Sequence, residues 1–444
     1  MAKIFPFCGI LYNKKKIKSL SKVISPPYDV ISSSKQDFLY DLSDFNVIRL
    51  VLGKDYIGDN EYNNRYVRAC ASFEGWLRHG ILLRDEKPAI YIYEQQFKHK
   101  SKTYSRMGIV SLITLEDLGK GKIYPHEYTL SKPKFDRIEL LRTTSANFDC
   151  VFSLFSDEKS KVSKLMKKLS RRKPDLEAKD MDGCTNRLWK INQKSVLKWL
   201  QKEFKDKSVF IADGHHRYEA ALQYRNEMKL RNTRYTEEEP YNYVMMYFTP
   251  IENNGLVVLP IHRMVKVLPN LDTGHALSQL GVYFEIEEFT FSKRTEEKTR
   301  KRLVSSLSKN RGKHSFGIYF KEKPLNYYLL SLKNESIMND VIEGDKPLAW
   351  KTLDVTILHK LVFERIFDLH EEENFVFTKD ENEALDGVKN GEFSMSVILN
   401  PTKIEDIITI AGKFERMPQK STYFYPKLTT GIIMNKIIQG EKIE

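Results

Sequence analysis

Cysteine is scarce in this chain, with 4 among 444 residues and no CxxC pair. This scarcity excludes a disulfide-dense scaffold and a cysteine-based zinc motif, and it is typical of reduced, structural thiols. No run of about 18 apolar residues occurs, so we expect no membrane-spanning helix. Basic residues near the N-terminus follow a short apolar stretch, which is the reverse of a secretory signal. We therefore expect a cytoplasmic protein without a membrane partner.

Length and apolar content are sufficient for more than one packed domain. The chain exceeds the size of an ordinary single domain, and 41% of its residues are hydrophobic, so wholesale disorder is excluded. Lysine and arginine number 72 against 59 aspartate and glutamate, which gives a formal net charge of +13. The basic residues are spread along the chain without a stripe or an arm. We interpret the excess as a solvated surface and do not expect a nucleic-acid partner.

Turn signals and apolar periodicity predict an α+β protein with mixed sheets. They divide the chain into an N-terminal α+β region over 1–120, a core over 121–265 and a C-terminal α+β region over 266–444. Residues 88–97 and 104–115 are rich in Tyr, Ile and Val, and they predict an antiparallel hairpin.

Five other segments carry local signals. Residues 46–52 predict a strand because they are almost continuously apolar, and residues 318–330 predict another hairpin. Residues 60–80 and 353–369 show apolar side chains at helical spacing and predict amphipathic helices. Residues 431–438 predict a short terminal helix.

The most informative segment is 209–222, where an apolar strand pattern runs into Asp213 and Gly214 and continues as a helix pattern. Gly214 permits a tight turn, and the backbone N–H groups that follow it form the free amino end of the helix. Such an end carries partial positive charge and unpaired donors, so it favours phosphate oxygens. The alternative is a strand–turn–helix joint whose polar residues only cap the helix.

Three basic or hydrogen-bonding side chains stand at the start of this helix. His215, His216 and Arg217 follow the glycine directly, and an arginine grips a phosphate through two hydrogen bonds. Asp213 is a candidate ligand of a divalent ion that phosphate oxygens would share. A zinc site is disfavoured, because adjacent histidines in one helical turn do not readily chelate a single ion and no HExxH accompanies them.

A second group of polar residues follows Pro125. His126 and Glu127 stand between this proline and a predicted helix that begins near Lys134. A carboxylate acts as a general base when it lies within hydrogen-bond reach of a substrate hydroxyl, and Glu127 is the candidate. The alternative is that Glu127 caps the following helix.

Two later segments supply further candidates. His262 and Arg263 follow an apolar run, so they face phosphates at a strand end or form a surface pair that closes a sheet. Lys420 and Ser421 lie in an irregular segment rich in aromatics and hydroxyls, which favours either an anionic ligand or aromatic packing around Tyr423. The Lys-Ser pair is not a Walker loop, because the upstream glycines are missing.

The order of these motifs resembles a widespread bacterial and archaeal family known as a domain of unknown function. The pairing of a PHE segment with a later DGHHR segment is also similar to the ParB/sulfiredoxin-like superfamily, which includes the archaeal free serine kinase and CTP-hydrolysing partition proteins. The motifs that carry the resemblance are PPYDVI (26–31), PHEYTLSKPKFDRIELLRTTSANF (125–148), IADGHHRYEAAL (211–222), LPIHR (259–263) and ERMPQKSTYFYPKL (415–428).

The resemblance implies a ParB/sulfiredoxin-like nucleotide-binding core over 121–265, with α+β regions on both sides. It implies that Asp213 to Arg217 hold phosphates and Mg²⁺ and that Glu127 takes a hydroxyl proton. The complete set of candidates is Glu127 and Asp213 for catalysis, His126, Gly214, His215, His216, Arg217 and Arg263 for nucleotide or phosphate, Asp29, Asn147, Lys420 and Ser421 for substrate, and Asp213 for the metal.

The leading functional hypothesis is a small-molecule kinase that uses ATP or ADP with Mg²⁺ and phosphorylates a hydroxyl, with free L-serine or a similar amino acid as acceptor. Phosphoryl transfer requires mainly positioning and charge neutralisation. One alternative is a ParB-like regulatory protein that binds CTP or ATP and associates with DNA. Another is a phosphatase that uses the same phosphate cradle with water as acceptor. The sequence leaves a homo-oligomer open.

Overall fold

The computed structural model describes residues 3–268 and 272–443, which form two compact units. One unit comprises Met1–Val257 and Pro426–Glu444, and the other comprises Val258–Tyr425. The chain thus leaves the first unit once and returns to it at Pro426. The boundary predicted at residue 120 lies within the first unit, and the boundary predicted at residue 265 lies close to the start of the second.

Strands and helices alternate along much of the chain. The strands are β1 (Ile4–Phe5), β2 (Ile10–Tyr12), β3 (Leu82–Arg84), β4 (Ile90–His99), β5 (Lys102–Thr114), β6 (Ile123–Pro125), β7 (Ala146–Asn147), β8 (Val151–Phe155), β9 (Leu176–Lys179), β10 (Thr185–Ile191), β11 (Val209–Asp213), β12 (Tyr243–Pro250), β13 (Val257–Leu259), β14 (His262–Val265), β15 (Phe284–Thr290), β16 (Ser315–Phe320), β17 (Asn326–Leu332), β18 (Phe375–Thr378), β19 (Met395–Leu399), β20 (Tyr423–Tyr425) and β21 (Asn435–Lys436).

The helices are mostly short. They are α1 (Ser33–Leu42), α2 (Ile48–Val51), α3 (Arg65–Arg78), α4 (Ser131–Thr144), α5 (Lys161–Leu169), α6 (Lys194–Phe204), α7 (His215–Arg231), α8 (Thr273–Tyr283), α9 (Glu296–Lys309), α10 (Ile337–Val341), α11 (Leu348–Lys351), α12 (Asp354–Ile357), a π-helix (Leu358–Ile366), α13 (Glu381–Lys389) and α14 (Ile404–Ala411). Single 3₁₀ turns occur at Leu20–Lys22, Tyr28–Val30, Pro240–Asn242 and Glu372–Asn374. Within 3–268 and 272–443, no helix combines the length and apolar content needed to cross a bilayer.

The main sheet of the first unit is mixed, as predicted. Its strand order is β6-β11-β8-β12-β5-β4-β10-β9, and β1 also pairs with β5. β6 runs parallel to β11 and β8 runs parallel to β12, whereas the other neighbours are antiparallel. The hairpin predicted at 88–97 and 104–115 is confirmed as β4 and β5, with Tyr91 opposite Val110.

The core of the first unit lies on this sheet. β12 is buried along its whole length, which is typical of a strand covered on both faces. Helices α4 to α7 contribute apolar side chains to the same core, including Leu141, Met166, Phe204 and Tyr218. Packing at this density holds the ends of β6 and β11 in fixed positions.

Two sequence predictions in the first unit are wrong. Residues 46–52 contain the helix α2 rather than a strand, and Oδ1 of Asn46 accepts a hydrogen bond from the backbone N–H of Ile48 at 2.9 Å. A short apolar run does not distinguish a buried strand from a buried helix. Residues 431–438 contain β21 rather than a helix, because Asn435 pairs with Asn147 of β7.

The second unit has its own antiparallel sheet, in the order β15-β17-β16-β19-β14-β18. The hairpin predicted at 318–330 is confirmed as β16 and β17. The helix predicted at 353–369 begins as α12 and continues as the π-helix. Two apolar clusters form the core of this unit, one around Val265 and Phe363 and one around Leu303 and Tyr327.

Candidate functional site

The two central sequence motifs meet at one edge of the main sheet. β11 runs parallel to β6, and Ile211 lies opposite Pro125. Both strands therefore end at the same edge, where the chain continues into Asp213 after one strand and into His126 and Glu127 after the other. Parallel pairing brings together residues that are far apart in the sequence.

Gly214 makes the turn from β11 into α7. Its φ is +90°, in the left-handed region that favours glycine. A Cβ at this position would lie 2.8 Å from Nε of Arg217, so the arginine side chain folds back over the turn. Gly214, the N-cap residue of α7, has no side chain with which to cap the helix. The predicted tight turn with a helix amino end is therefore present.

His126 and His215 are buried against each other, with ring centroids 4.7 Å apart in an edge-to-face arrangement. The backbone N–H of His126 donates to Nε2 of His215 at 3.2 Å, and Nδ1 of His215 lies 4.0 Å from Oε2 of Glu127. Nδ1 of His126 bonds the carbonyl of Ile211 at 2.6 Å. Burial lowers the pKa of His126 to about 4, so this side chain is neutral near pH 7 and fixes the loop beside Glu127.

His216 and Glu219 hold the same loop to the first turns of α7. Nε2 of His216 accepts a hydrogen bond from the backbone N–H of Leu130 at 2.9 Å, and burial lowers the pKa of His216. The hydroxyl of Thr129 donates to Oε2 of Glu219 at 2.6 Å. His215 and His216, two of the three predicted phosphate-binding histidines, thus each accept a hydrogen bond from a loop amide.

Asp213 is neutralised by two cations. Its Oδ2 accepts a hydrogen bond from Arg217 at 2.8 Å, and its Oδ1 contacts the ammonium group of Lys427. Burial opposes the charge of this carboxylate, but Lys427 and Arg217 outweigh that effect and hold the pKa of Asp213 below its usual value. Lys427 also lies 3.7 Å from Oδ2 of Asp29.

Besides Asp213, Arg217 contacts Cys150 and Asp149, and one of its nitrogen atoms lacks a hydrogen-bond partner among the described residues. Its guanidinium donates to the carbonyl of Cys150 and lies 3.5 Å from Oδ1 of Asp149. Nε of Arg217 and Oδ2 of Asp149 are buried, and neither has a hydrogen-bond partner among the described residues. Leaving such an atom unpaired costs about 1–3 kcal/mol, so we expect a water or a ligand group there.

A cavity of about 40 Å³ adjoins these two atoms, and Asn147, Asp149 and Arg217 are among its lining residues. This volume holds a water-sized group. Asn147, a predicted substrate ligand, is held by the fold: its Oδ1 accepts hydrogen bonds from the backbone of Met245 at 3.4 Å and from Asn435 at 3.3 Å.

Asp29 follows the rigid corner predicted at Pro26 and Pro27. Pro27 is extended, with φ −67° and ψ 155°, and the chain then makes one 3₁₀ turn over Tyr28–Val30. The guanidinium of Arg137 lies 3.9 Å from the ring centre of Tyr28, and burial raises the pKa of Tyr28 to about 12. The side chain of Asp29 remains 40% exposed, so a small molecule can reach its carboxylate.

Three predicted site residues belong to the second unit: Arg263, Lys420 and Ser421. Arg263 is buried on β14 and donates to the backbone carbonyl of Lys420 at 3.1 Å. Burial lowers the pKa of Arg263 to about 9. The hydroxyl of Ser421 donates to the carbonyl of Pro418. Pro418 and Lys420, which accept these hydrogen bonds, belong to the same unit as Arg263 and Ser421.

The predicted magnesium ligand, Asp213, does not form a metal site as it stands. Among residues 3–268 and 272–443, no group of three or more His, Cys, Asp or Glu side chains is arranged to hold a metal ion. Both oxygens of Asp213 face protein cations. A Mg²⁺ ion there requires further ligands from a bound molecule, and nucleotide phosphates are the usual source.

Sequence reasoning missed two members of the site, Lys427 and Asp149. Lys427 stands near the end of the 415–428 motif, in which only Lys420 and Ser421 are predicted to be site residues. Asp149 stands in the 146–155 segment between Phe148 and a fully buried strand. A charged residue inside an apolar run was the signal for Asp149, because buried carboxylates require partners.

The fold and the site define an α+β protein with a mixed sheet and a charged cluster at a strand-to-helix turn. The chain belongs to the family described as "Protein of unknown function (DUF1015)", whose model matches residues 4–356. A search of curated proteins gives no significant match.

Solved structures give matches of low TM-score. A conserved hypothetical protein from Pyrococcus furiosus aligns with a TM-score of 0.31 and 14% identity, covering 71% of this chain and 90% of that one. A free serine kinase variant in complex with AMP aligns with a TM-score of 0.33 and 14% identity, covering 71% and 87%. A free serine kinase variant in complex with ADP aligns with a TM-score of 0.33 and 13% identity, covering 71% of this chain and 87% of that one.

Proposed function

We propose that this protein is a nucleotide-dependent kinase that transfers a phosphoryl group to the hydroxyl of a small molecule. ATP or ADP is the donor, and free L-serine or a similar amino acid is the acceptor. The observation that carries the proposal is the meeting of Glu127 with the Gly214 turn at one sheet edge, where β6 and β11 end side by side.

The turn at Gly214 would bind the nucleotide that donates the phosphoryl group. The amino end of α7 carries partial positive charge, and its N-cap residue is Gly214, which has no side chain to serve as a cap. Arg217 and Lys427 lie beside it, held in place by Asp213. Fixed cations and amides stabilise the charge that develops on a transferring phosphoryl group, because they need no reorganisation during the reaction.

Glu127 would act as the general base for the hydroxyl that accepts the phosphoryl group. Its side chain is 30% exposed, and its Oε2 lies 4.0 Å from Nδ1 of His215. As the acceptor oxygen bonds to phosphorus, the bond from phosphorus to the leaving nucleotide oxygen breaks and Glu127 accepts the hydroxyl proton. Proton transfer to a positioned carboxylate contributes about 10²–10⁴-fold to such a rate.

Two further groups complete the proposed complex. Asp213 would hold Mg²⁺ together with the phosphates of a bound nucleotide, and the ion would supply neutralisation of their charge. Asp29 lies at the edge of the cluster and is partly exposed, so its carboxylate is placed to pair with the ammonium group of an amino acid acceptor.

A nucleotide screen on the full chain tests the proposal. ATP or ADP with Mg²⁺ is expected to raise the melting temperature with increasing concentration, because a ligand of the native state stabilises it. Labelled phosphate is then followed onto a panel of amino acids and polyols. Glu127→Gln is expected to keep nucleotide binding and to lose about 10²-fold or more of transfer. Glu139→Gln, which removes a carboxylate paired with Arg142 on α4, is the matched control.

Other outcomes separate the alternatives. Release of inorganic phosphate without an acceptor would replace the kinase with a hydrolase. DNA binding that weakens steeply with salt would favour the partition-like alternative. A chain that binds none of ATP, ADP or CTP would overturn every nucleotide-based function.

A further inference from the structure

A cavity of about 150 Å³ lies within the second unit. Its lining includes Arg311, His314, Asp354, Thr402, Lys403 and Asp406. Charged groups of both signs therefore face one small space. A drug-sized ligand usually requires about 300 Å³ or more, whereas one water occupies about 30 Å³ of the liquid, so the occupant is a molecule of only a few heavy atoms.

The acidic side of the cavity is anchored by His314. Its Nδ1 lies 2.7 Å from Oδ1 of Asp354, and its Nε2 lies 3.1 Å from Oε1 of Glu335. The Asp354 hydrogen bond raises the pKa of His314 despite its burial. His314 also has a φ of +45°, an uncommon conformation for a residue other than glycine. Asp406 adds a second carboxylate, whose pKa is raised by burial.

The basic side of the cavity is formed by Arg311 and Lys403. Arg311 donates one hydrogen bond to the carbonyl of Pro401 at 3.0 Å, and its guanidinium carries further N–H donors. Lys403 is the residue that precedes α14; its own side chain does not cap the helix, and the carboxylate of Asp406 accepts a hydrogen bond from its backbone N–H. The hydroxyl of Thr402 donates to the carbonyl of Ser421 at 2.6 Å and fixes the loop.

We propose that this cavity binds a small α-amino acid. The carboxylate of the ligand pairs with Arg311 and Lys403, and its ammonium group pairs with Asp354 and Asp406. A simple anion meets the two aspartates and a simple cation meets the two basic residues, so a zwitterion satisfies both sides. The site is separate from the proposed kinase site and does not depend on it.

Calorimetric titration of the full chain tests this site with glycine, L-alanine and L-serine as probes. Acetate and ethylammonium are the single-charge controls, and each is expected to bind at least 10-fold more weakly than the amino acids. Asp406→Asn and Arg311→Gln are each expected to weaken amino acid binding 10-fold or more. Glu405→Gln, the neighbouring carboxylate on α14, and Arg302→Gln, an exposed arginine on α9, are the matched controls and are expected to change it less than twofold.

The results distinguish this site from the proposed kinase site. If Glu127→Gln abolishes amino acid binding while Asp406→Asn and Arg311→Gln leave it unchanged, the amino acid binds in the first unit and the present proposal is overturned. Equal affinity for acetate would also overturn it, since the cavity would then be a plain anion site. If Asp406→Asn does not fold, amino acid binding by the variant at the exposed residue, Arg311→Gln, tests the proposal instead. Binding that survives Glu127→Gln and fails in Arg311→Gln supports the proposal even if no kinase activity is found.

Discussion

The ammonium group of Lys427 contacts Oδ1 of Asp213, a residue 214 positions earlier in the chain. Lys427 belongs to the C-terminal segment that returns to the first unit. It therefore supplies a cation that the strand-to-helix motif does not contain. Together with Arg217, it makes Asp213 a carboxylate that orders two basic groups beside the amino end of α7.

The Lys427–Asp213 pair is expected to show strong energetic coupling. Lys427→Met leaves a buried carboxylate with Arg217 as its remaining ion partner, so we expect a loss of about 1–3 kcal/mol in the free energy of unfolding. In the Asp213→Asn background the same substitution is expected to be less destabilising, with a coupling energy of about 0.5–3 kcal/mol. Urea unfolding of the four proteins in the cycle measures it, and Lys413→Met, at an exposed position, is the control. Additive effects would show that the pair is not coupled.

Alanine is expected to have opposite effects at two helix-associated glycines. Gly214→Ala forces a side chain into a left-handed conformation and places its Cβ 2.8 Å from Nε of Arg217, so we expect a loss of at least about 1–2 kcal/mol. Gly75→Ala lies inside α3 with nothing within 4 Å of the new Cβ, and we expect a gain of about 0.5–1 kcal/mol. Thermal unfolding compares the two variants. A stable Gly214→Ala protein would contradict the conformation assigned to the turn.

His126 is expected to make stability depend on pH. Burial lowers its pKa to about 4, below the value near 6.5 of an unfolded histidine. The unfolded chain therefore binds more protons between these values, so the contribution of His126 is fully present above pH 6.5 and is lost as the pH falls towards 4. The loss amounts to about 3 kcal/mol at most. Urea unfolding at pH 7.0, 5.5 and 4.5 measures the slope, which His126→Gln is expected to reduce. His216 and His359, whose pKa values burial also lowers, that of His359 to about 3, contribute in the same direction, and an unchanged slope in His126→Gln would show that His126 is not the source of the effect.

The strands with strong local signals were predictable, and the ambiguous apolar runs were not. β4 and β5 carry β-branched and aromatic residues on both sides of a polar turn, so their hairpin follows from the sequence. The run at 46–52 has no such turn, and its helix depends on the side chain of Asn46 and on burial against α3. Residues 431–438 contain β21 because β7 offers a partner strand. The local sequence does not show which strand it will pair with, so this strand could not be predicted from it.

Sequence by itself determined the bend at Gly214, because only a residue without a Cβ adopts that turn at low cost, and it determined that His126 and Glu127 directly follow Pro125. The tertiary structure decided the rest. Parallel pairing of β6 with β11 brought Glu127 to the turn, burial made His126 a neutral structural residue, and the returning C-terminal segment supplied Lys427. The positions and charge states of these three residues depend on long-range packing. Packing sets both the distances between side chains and the dielectric environment around them, and neither can be read from a single stretch of residues.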